Sequence, residues 1–566
     1  MKLHFQKSGL LITCLISLTL STPVLADEAA NYNSSQQVIA EHVQNKAPSA
    51  KLLCTNNLNC SSRLTETFYK ARQYTPLWST GSGVLSIDAV NVLDTLRHSY
   101  TDGLNPYDYH TKELNLLLSQ IEANQAAGEV PANLLAEFDL TLTDAYLLYS
   151  GDIQIGKVDP AAAYKNWPVD RRYINVLTQL QVAARDNQLV QNLHNITPQN
   201  PDYLKLRDKL VSYQQIASNG GWESIPSGST LSIGTHGERV RLVAERLAAS
   251  GDYQLKENNR TYTQDLKNAI MKFQRSAGIK VTGNVDDATL HELNIPISQR
   301  IKQIALNMDR LRWLPNQLSA NYIWVNIPNY SLSVYRNGKL DLTMPVIVGG
   351  GGENKSCIVN SSVTTIETNP SWGVPRRIAT KEYLSKIQAD PEYLAKNSMR
   401  LYDNATGSEV DPSTVDWTQV TQKNFNYFIK QDPGRKNALG KLKFIFNNKC
   451  GIYLHDTSNP KLFAKMARSL SHGCIRVGNP LALANDLVTY NSVSWDTDKL
   501  NDTINAGTHT WIRLNNPMTI HIVYQTAWVD DSDNLIFRKD IYGIDNINFP
   551  IFIPYKKPAT ESNLDL

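Results

Sequence analysis

The period of the sequence changes at Pro315, and that break limits the fold more than any other feature. Before it, apolar residues recur every three to four positions, as in "AVNVLDTLRHSY" and "NLLAEFDLTLTDAYLLYSGDI", which is the spacing of helices with one apolar face. After it, "YIWVNIPNYSLSVYRNGKLDLTMPVIVGG", "SSVTTIETNP", "KFIFNN", "IYLHDT", "THTWIRL" and "MTIHIVYQTAWV" read as strands. Asn337-Gly338, inside "RNGK", is the strongest short hairpin signal among them. Helices and strands segregated along one chain give a multidomain α+β fold rather than an alternating one. At roughly 100–200 residues per domain, the 566-residue chain has room for three or four.

The helical half divides at turn-rich breaks. Residues 62–220 read as a helical scaffold without evident chemistry, in which His98 and His110 are surface or core residues rather than ligands. The glycine-rich "SNGGWESIPSGST" ends it. A compact three-helix unit follows over 231–295, with Leu266, Ile270 and Phe273 on one face of its second helix and Asp286 or Asp287 as cap of its third. Its "AIMKFQRSAGIKVTGNVDDATLHEL" resembles the peptidoglycan-binding module found beside cell-wall enzymes; the competing reading is a helical spacer that has lost binding. His236 and His291 are not spaced as a metal site. Residues 296–316 read as an amphipathic connecting helix, and 317–566 as the mainly-β domain. At about 379–436 that domain is interrupted by helix and irregular structure. A long insertion on a β scaffold is read as a lid, with a decorative surface insertion as the alternative.

The first residues read as a targeting segment. Two lysines, the apolar "LLITCLISLTL" and a small-residue site ending at Ala26 make residues 1–26 a secretory signal, cleaved before Asp27. The apolar run is shorter than the ~20 residues a spanning helix needs, and no later stretch is long and apolar enough for a transmembrane segment in the mature chain. Residues 27–61 are polar and rich in Asn, Gln and Ser, so a loose segment is expected. A net charge of +3 argues against a dedicated nucleic-acid binder.

Removing the signal takes Cys14 and leaves Cys54, Cys60, Cys357, Cys450 and Cys474, an odd number for an oxidising compartment. Cys54 and Cys60 bracket a short polar loop; Cys357 and Cys450 are a second candidate pair, and connectivity is not readable from sequence. Cys474, in "SLSHGCIRVGNP", is left over and reads either as a buried packing cysteine or as a nucleophile. A thiol attacking an acyl group needs an imidazole base, an orienting partner for that base, and N–H donors for the developing oxyanion. His455 or His472 supplies the base; His455, at a strand end, is preferred, with His472 shaping the loop or its oxyanion side. Gly473 permits close backbone approach, and Asn479-Pro480 starts the helix "LALANDLVTY" that anchors the loop.

A histidine, fifteen intervening residues and then Ser-His-Gly-Cys resembles the signature of the L,D-transpeptidase (YkuD-type) catalytic domain. The resemblance extends through "NPSWGVPRRIA", "NALGKLKFIF" and "IHIVYQTAWV". With the scaffold, module and insertion, it covers nearly all of the mature chain and points to the large multidomain periplasmic L,D-transpeptidases of Gram-negative bacteria. It implies Cys474 as nucleophile and His455 as general base, oriented by the backbone carbonyl of Asp456. It places Tyr453, Gly473 and the Cys474 amide on the oxyanion side. His472, Ser471 and Arg476 belong to the same motif; Arg476 is read as holding a substrate carboxylate or favouring thiolate, against a structural salt bridge. Trp372 lines the cleft or fills a core. The implied partners are peptidoglycan stem peptides, with carbapenem-type β-lactams as covalent inhibitors, and no metal or cofactor is called for.

The implied reaction is 3→3 cross-linking of tetrapeptide stems with release of D-alanine. The same acyl-enzyme also fits lipoprotein attachment, or hydrolysis as a carboxypeptidase or endopeptidase. A zinc site built from His455, His472, Cys450 and Cys474 lacks the usual short ligand pairs. A non-catalytic wall-binding scaffold would not need the intact His455 and Ser-His-Gly-Cys set.

Overall fold

The structure is a computed structural model that describes residues 23–44, 62–80, 83–164, 172–257 and 259–554. Cys14, Cys54, Cys60 and most of the expected signal lie outside the described residues. No described helix is long and apolar enough to cross a membrane. The chain forms two compact units. One comprises Met1–His98, Pro106–Ser150 and Asn175–His194; the other comprises Ser99–Asn105, Gly151–Ile174 and Asn195–Leu566.

The first unit is helical. Contrary to the expected loose segment, Pro23–Gln44 is a helix. Its buried Ser35, Ile39 and Val43 recur at four-residue spacing, so a narrow stripe suffices where polar composition suggested none. The expected processing point before Asp27 falls inside this helix. Ser86 caps helix Ile87–Arg97 by accepting from the Ala89 N–H, and Gly128, at φ 104°, closes helix Thr111–Ala127. Buried Asp139 accepts the N–H groups of Leu77 and Trp78 at 2.9 and 2.8 Å. His110 pairs with buried Asp144 at 3.1 Å, while His98 stays exposed beside Asp94.

In the second unit, helices Glu238–Ala249, Gln264–Ala277 and Asp287–Leu293 pack around Val243, Leu247, Leu266, Ile270, Phe273 and Leu293. Asp286 is the cap of the third, accepting from Thr289 N at 2.9 Å. Buried Gln274 ties down the connecting loop: its carbonyl accepts from Thr282 N and Gly283 N, both at 2.9 Å. Helix Ile297–Leu311 is more than an amphipathic connector, because polar and charged residues on it are buried as well. Arg310 pairs with Asp545 at 2.6 Å and Arg312 with Asp309 at 3.2 Å, so paired charges let the helix bury its polar face.

The mainly-β domain has fifteen strands: β1 Tyr322–Asn326, β2 Ser331–Arg336, β3 Lys339–Gly349, β4 Val359–Thr368, β5 Trp372–Gly373, β6 Met399–Asp403, β7 Glu409–Val410, β8 Tyr427–Gln431, β9 Leu442–Phe446, β10 Leu454–His455, β11 Ser469–Ser471, β12 Ile475–Val477, β13 Thr510–Val523, β14 Ala527–Val529 and β15 Leu535–Phe537. Nine of them form one sheet in the order β11-β3-β12-β10-β9-β4-β13-β1-β2. The β2–β3 turn is Asn337-Gly338, both at positive φ (49° and 74°), as a two-residue hairpin of this type requires.

The insertion differs from the expected helix and irregular structure. Its short strands β6, β7 and β8 make a separate antiparallel sheet with β5, which just precedes it, and Ile387, Leu401, Phe425 and Ile429 pack with Trp372 of β5 into a core apart from the main one. Strands of two to five residues, split by turns such as "DNATGSEVDP", are too short to show a period of two.

Candidate active site

Strand register builds the site. Leu454 of β10 lies opposite Ile475 of β12 in a parallel pair, and both are fully buried in the main core. Side chains alternate across a strand, so His455 and its register partner Arg476 share the other face. The row continues: His455 lies opposite Lys443 of β9, Lys443 opposite Glu367 of β4, and Glu367 opposite Trp511 of β13. In β9, Leu442, Phe444 and Phe446 are buried in the core, which turns Lys443 to the His455 side.

Cys474 immediately precedes β12 and is the only free cysteine among the described residues. The Tyr453 carbonyl accepts from Ile475 N at 3.1 Å, which places Tyr453 alongside Cys474. The Tyr453 phenol and the Cys474 thiol lie close enough for each to shift the other's ionisation, and Trp372 of β5 stands beside the phenol. Tyr453 also packs its ring edge-on against His455, at 5.7 Å between centroids.

The loop bearing the cysteine is tightly held. Ser471 Oγ donates to the Cys474 carbonyl and accepts from Gly473 N at 3.2 Å. Ser356 Oγ donates to the Gly473 carbonyl at 2.7 Å and accepts from Gly349 N at 2.9 Å. Gly473 sits at φ 125°, a conformation that side chains with a Cβ rarely adopt. Its amide is therefore engaged by Ser471, unlike the expected oxyanion donor. The Cys474 amide donates to no described residue.

Burial sets the protonation states. It lowers the His455 pKa to about 3; the positive charges of Arg476 and Lys443 act in the same direction, and the Asp456 backbone opposes them. His455 Nδ1 is buried with no hydrogen-bond partner. Burial raises the Cys474 thiol, while contacts with Tyr453 and the charges of Lys443 and Arg476 pull it down. The resting pair is a neutral thiol and a neutral imidazole.

The remaining expected residues separate by position. The Asp456 carboxylate turns away from His455 to accept from Lys441 N at 2.8 Å and Thr457 N at 2.7 Å. Gly440 makes that possible, since a Cβ there would meet the Asp456 carboxylate at 2.2 Å. His472 is paired with Glu382 of the insertion. Among the described residues, Arg476 has no carboxylate partner and its Nε is buried without a hydrogen bond, so it is not a structural salt bridge. Trp372, on β5, packs into the core it shares with the insertion and stands beside Tyr453.

Cys357 and Cys450 form a disulfide, which removes Cys450 from any zinc set. A cavity of about 880 Å³ borders this disulfide, with Lys355, Arg377, Lys449, His472 and Gly473 in its wall. Cys474 and His455 do not line it. Sequence reasoning missed Lys443, Glu367 and Glu382. For Lys443 the signal was the alternation in "KLKFIF", and for Glu367 the strand "SSVTTIETNP"; both become informative only once the registers of β9 with β10 and β4 are known.

Residues 320–517 match the family model of the L,D-transpeptidase catalytic domain. The chain carries an L,D-transpeptidase catalytic domain. The L,D-transpeptidase domain is accompanied by a "Scaffold domain" match at 63–210 and a "Putative peptidoglycan binding domain" match at 236–293. A Haemophilus influenzae protein named "Putative L,D-transpeptidase" is 37% identical over 247 residues, covering 43% of this chain and 48% of that protein. The match thus spans about half the length of that curated relative. Among solved structures, an L,D-transpeptidase from Xylanimonas cellulosilytica is 12% identical, with 53% of this chain and 99% of that one covered and a TM-score of 0.15. A mutant L,D-transpeptidase of Enterococcus faecium is 9% identical, with 56% and 100% covered and a TM-score of 0.17.

Proposed function

We propose that the chain is a periplasmic L,D-transpeptidase that makes 3→3 peptidoglycan cross-links through a thioester on Cys474. The observation that carries this reading is the placement of Cys474 at the entry to β12 and His455 on the neighbouring β10, with Tyr453 beside both. Cys474 Sγ attacks the carbonyl carbon of the L-centre of diaminopimelate in a tetrapeptide stem, and the thiol proton passes to His455. Because the resting imidazole is neutral, it accepts that proton as the S–C bond forms, without a preformed ion pair. The Cys474 N–H and the Tyr453 hydroxyl donate to the oxyanion. The C–N bond to D-alanine breaks, and the leaving amine takes the proton from His455. A diaminopimelate side-chain amine of a second stem then attacks the thioester, gives its proton to His455, and releases the thiol with a new amide bond. Arg476, cationic and unpaired, is suited to a stem carboxylate. The three-helix module holds the enzyme on the wall. Carbapenem-type β-lactams acylate the same sulfur.

The insertion closes over the site through Glu382 on His472, and it packs on Trp372, which stands beside Tyr453. Its cover disfavours water as acceptor. Mass spectrometry of products from purified tetrapeptide muropeptides tests the reading: cross-linked dimers support it, and tripeptides alone would convert it to hydrolysis.

A further inference from the structure

The register row that carries His455 also carries a charge the motif does not account for. Lys443 Nζ stands 3.2 Å from Glu367 and 4.6 Å over the Tyr453 ring. Glu367 is buried, 5% exposed at its side chain, and its other oxygen meets His509 Nε2 at 3.0 Å. The His509 ring packs against Trp511, 5.9 Å between centroids, at the exposed end of the row. A buried carboxylate between two cationic or protonatable groups fixes the position of the inner one. Lys443 therefore has one anchored place, beside the tyrosine that contacts the thiol.

We propose that Lys443, anchored by Glu367, is a positioning residue that holds positive charge beside the Tyr453–Cys474 pair and stabilises the thiolate as it forms. This rests on the reading of Cys474 as nucleophile. The cation favours negative charge on sulfur; the same field disfavours a proton on His455, so what it contributes to attack is contributed at the sulfur. Tyr453, His455, Arg476 and Lys443 are the ionisable groups around the thiol. Behind them stand Glu367 and His509 on the Lys443 side, Tyr383 beside Arg476, and the His472–Glu382 pair on the loop. Of these, Lys443 and Arg476 are the cations, and Arg476 is the one left free for substrate.

The test is the pH profile of Cys474 alkylation by iodoacetamide in the full chain, with the label mapped to Cys474 by mass spectrometry. Lys443→Met should move the inflection up by about one pH unit and slow labelling at pH 7.5 about tenfold. The plateau rate at high pH should not change, and Lys443→Arg should restore the parent profile. A residue that only packed the sheet would leave the inflection in place. Should Lys443→Met fail to fold because Glu367 is left unpaired, the double variant Lys443→Met with Glu367→Gln avoids that charge, and its inflection should still move up. A Lys443→Met profile that overlays the parent's overturns the inference alone. No labelling of Cys474 in the parent at any pH overturns the nucleophile reading and the inference with it.

Discussion

His455 should make the catalytic domain acid-sensitive, by an amount the structure sets. Its pKa is lowered to about 3 by burial, against about 6.5 in an unfolded chain. Between these values the unfolded state binds the extra proton, so stability is fully present above about pH 6.5 and is lost as pH falls toward 3. At about 1.4 kcal/mol per pH unit, going from pH 7.5 to 5.0 removes about 2 kcal/mol. Buried His521, lowered to about 4, adds a loss of the same sign, whereas buried carboxylates with raised pKa, such as Asp486, oppose it. The clean quantity is therefore a difference between the parent and His455→Gln. Hydrogen exchange of peptides from β9 and β10, corrected for intrinsic rates, reads the local opening free energy without assuming that the whole chain unfolds in one step. The parent should lose about 2 kcal/mol more than His455→Gln over that pH interval. Equal losses would refute the claim that the imidazole is held buried and neutral.

Three further outcomes follow from particular contacts. Gly473→Ala forces a Cβ into φ 125° and should cost about 1–3 kcal/mol, slowing acylation of Cys474 while sedimentation with purified wall is unchanged. Replacing both Cys357 and Cys450 by serine opens a link across 93 residues and should cost about 2–5 kcal/mol, read as a lower unfolding temperature of the catalytic domain. Exchanging about residues 379–436 for a short linker should impair transfer more than folding, because that segment packs mainly into a core apart from the main sheet; full cross-linking activity in the folded variant would reject the lid.

Much of this was legible in the chain. The break at Pro315 separated helices from strands because each period is repeated many times. The hairpin at Asn337-Gly338 was readable because two consecutive positive-φ positions admit few residues. Cys474 and His455 stood out through short-range spacing and family resemblance. What stayed hidden depends on register between distant segments. Glu367 and Lys443 are 76 positions apart in sequence yet opposite each other across β4 and β9. Whether Cys357 meets Cys450 is a matter of topology in the same way. The helix at Pro23–Gln44 was concealed by polar residues around its buried stripe, and the insertion's sheet by strands shorter than a readable period.

Incubating the full chain with a purified disaccharide-tetrapeptide and following both the intact protein and the products by mass spectrometry tests the central claim most directly. The account predicts a transient acyl adduct mapped to Cys474, released D-alanine and a 3→3 linked dimer, none of which forms with Cys474→Ala. Cross-linked dimer from Cys474→Ala, or an adduct mapped to another residue, would contradict it.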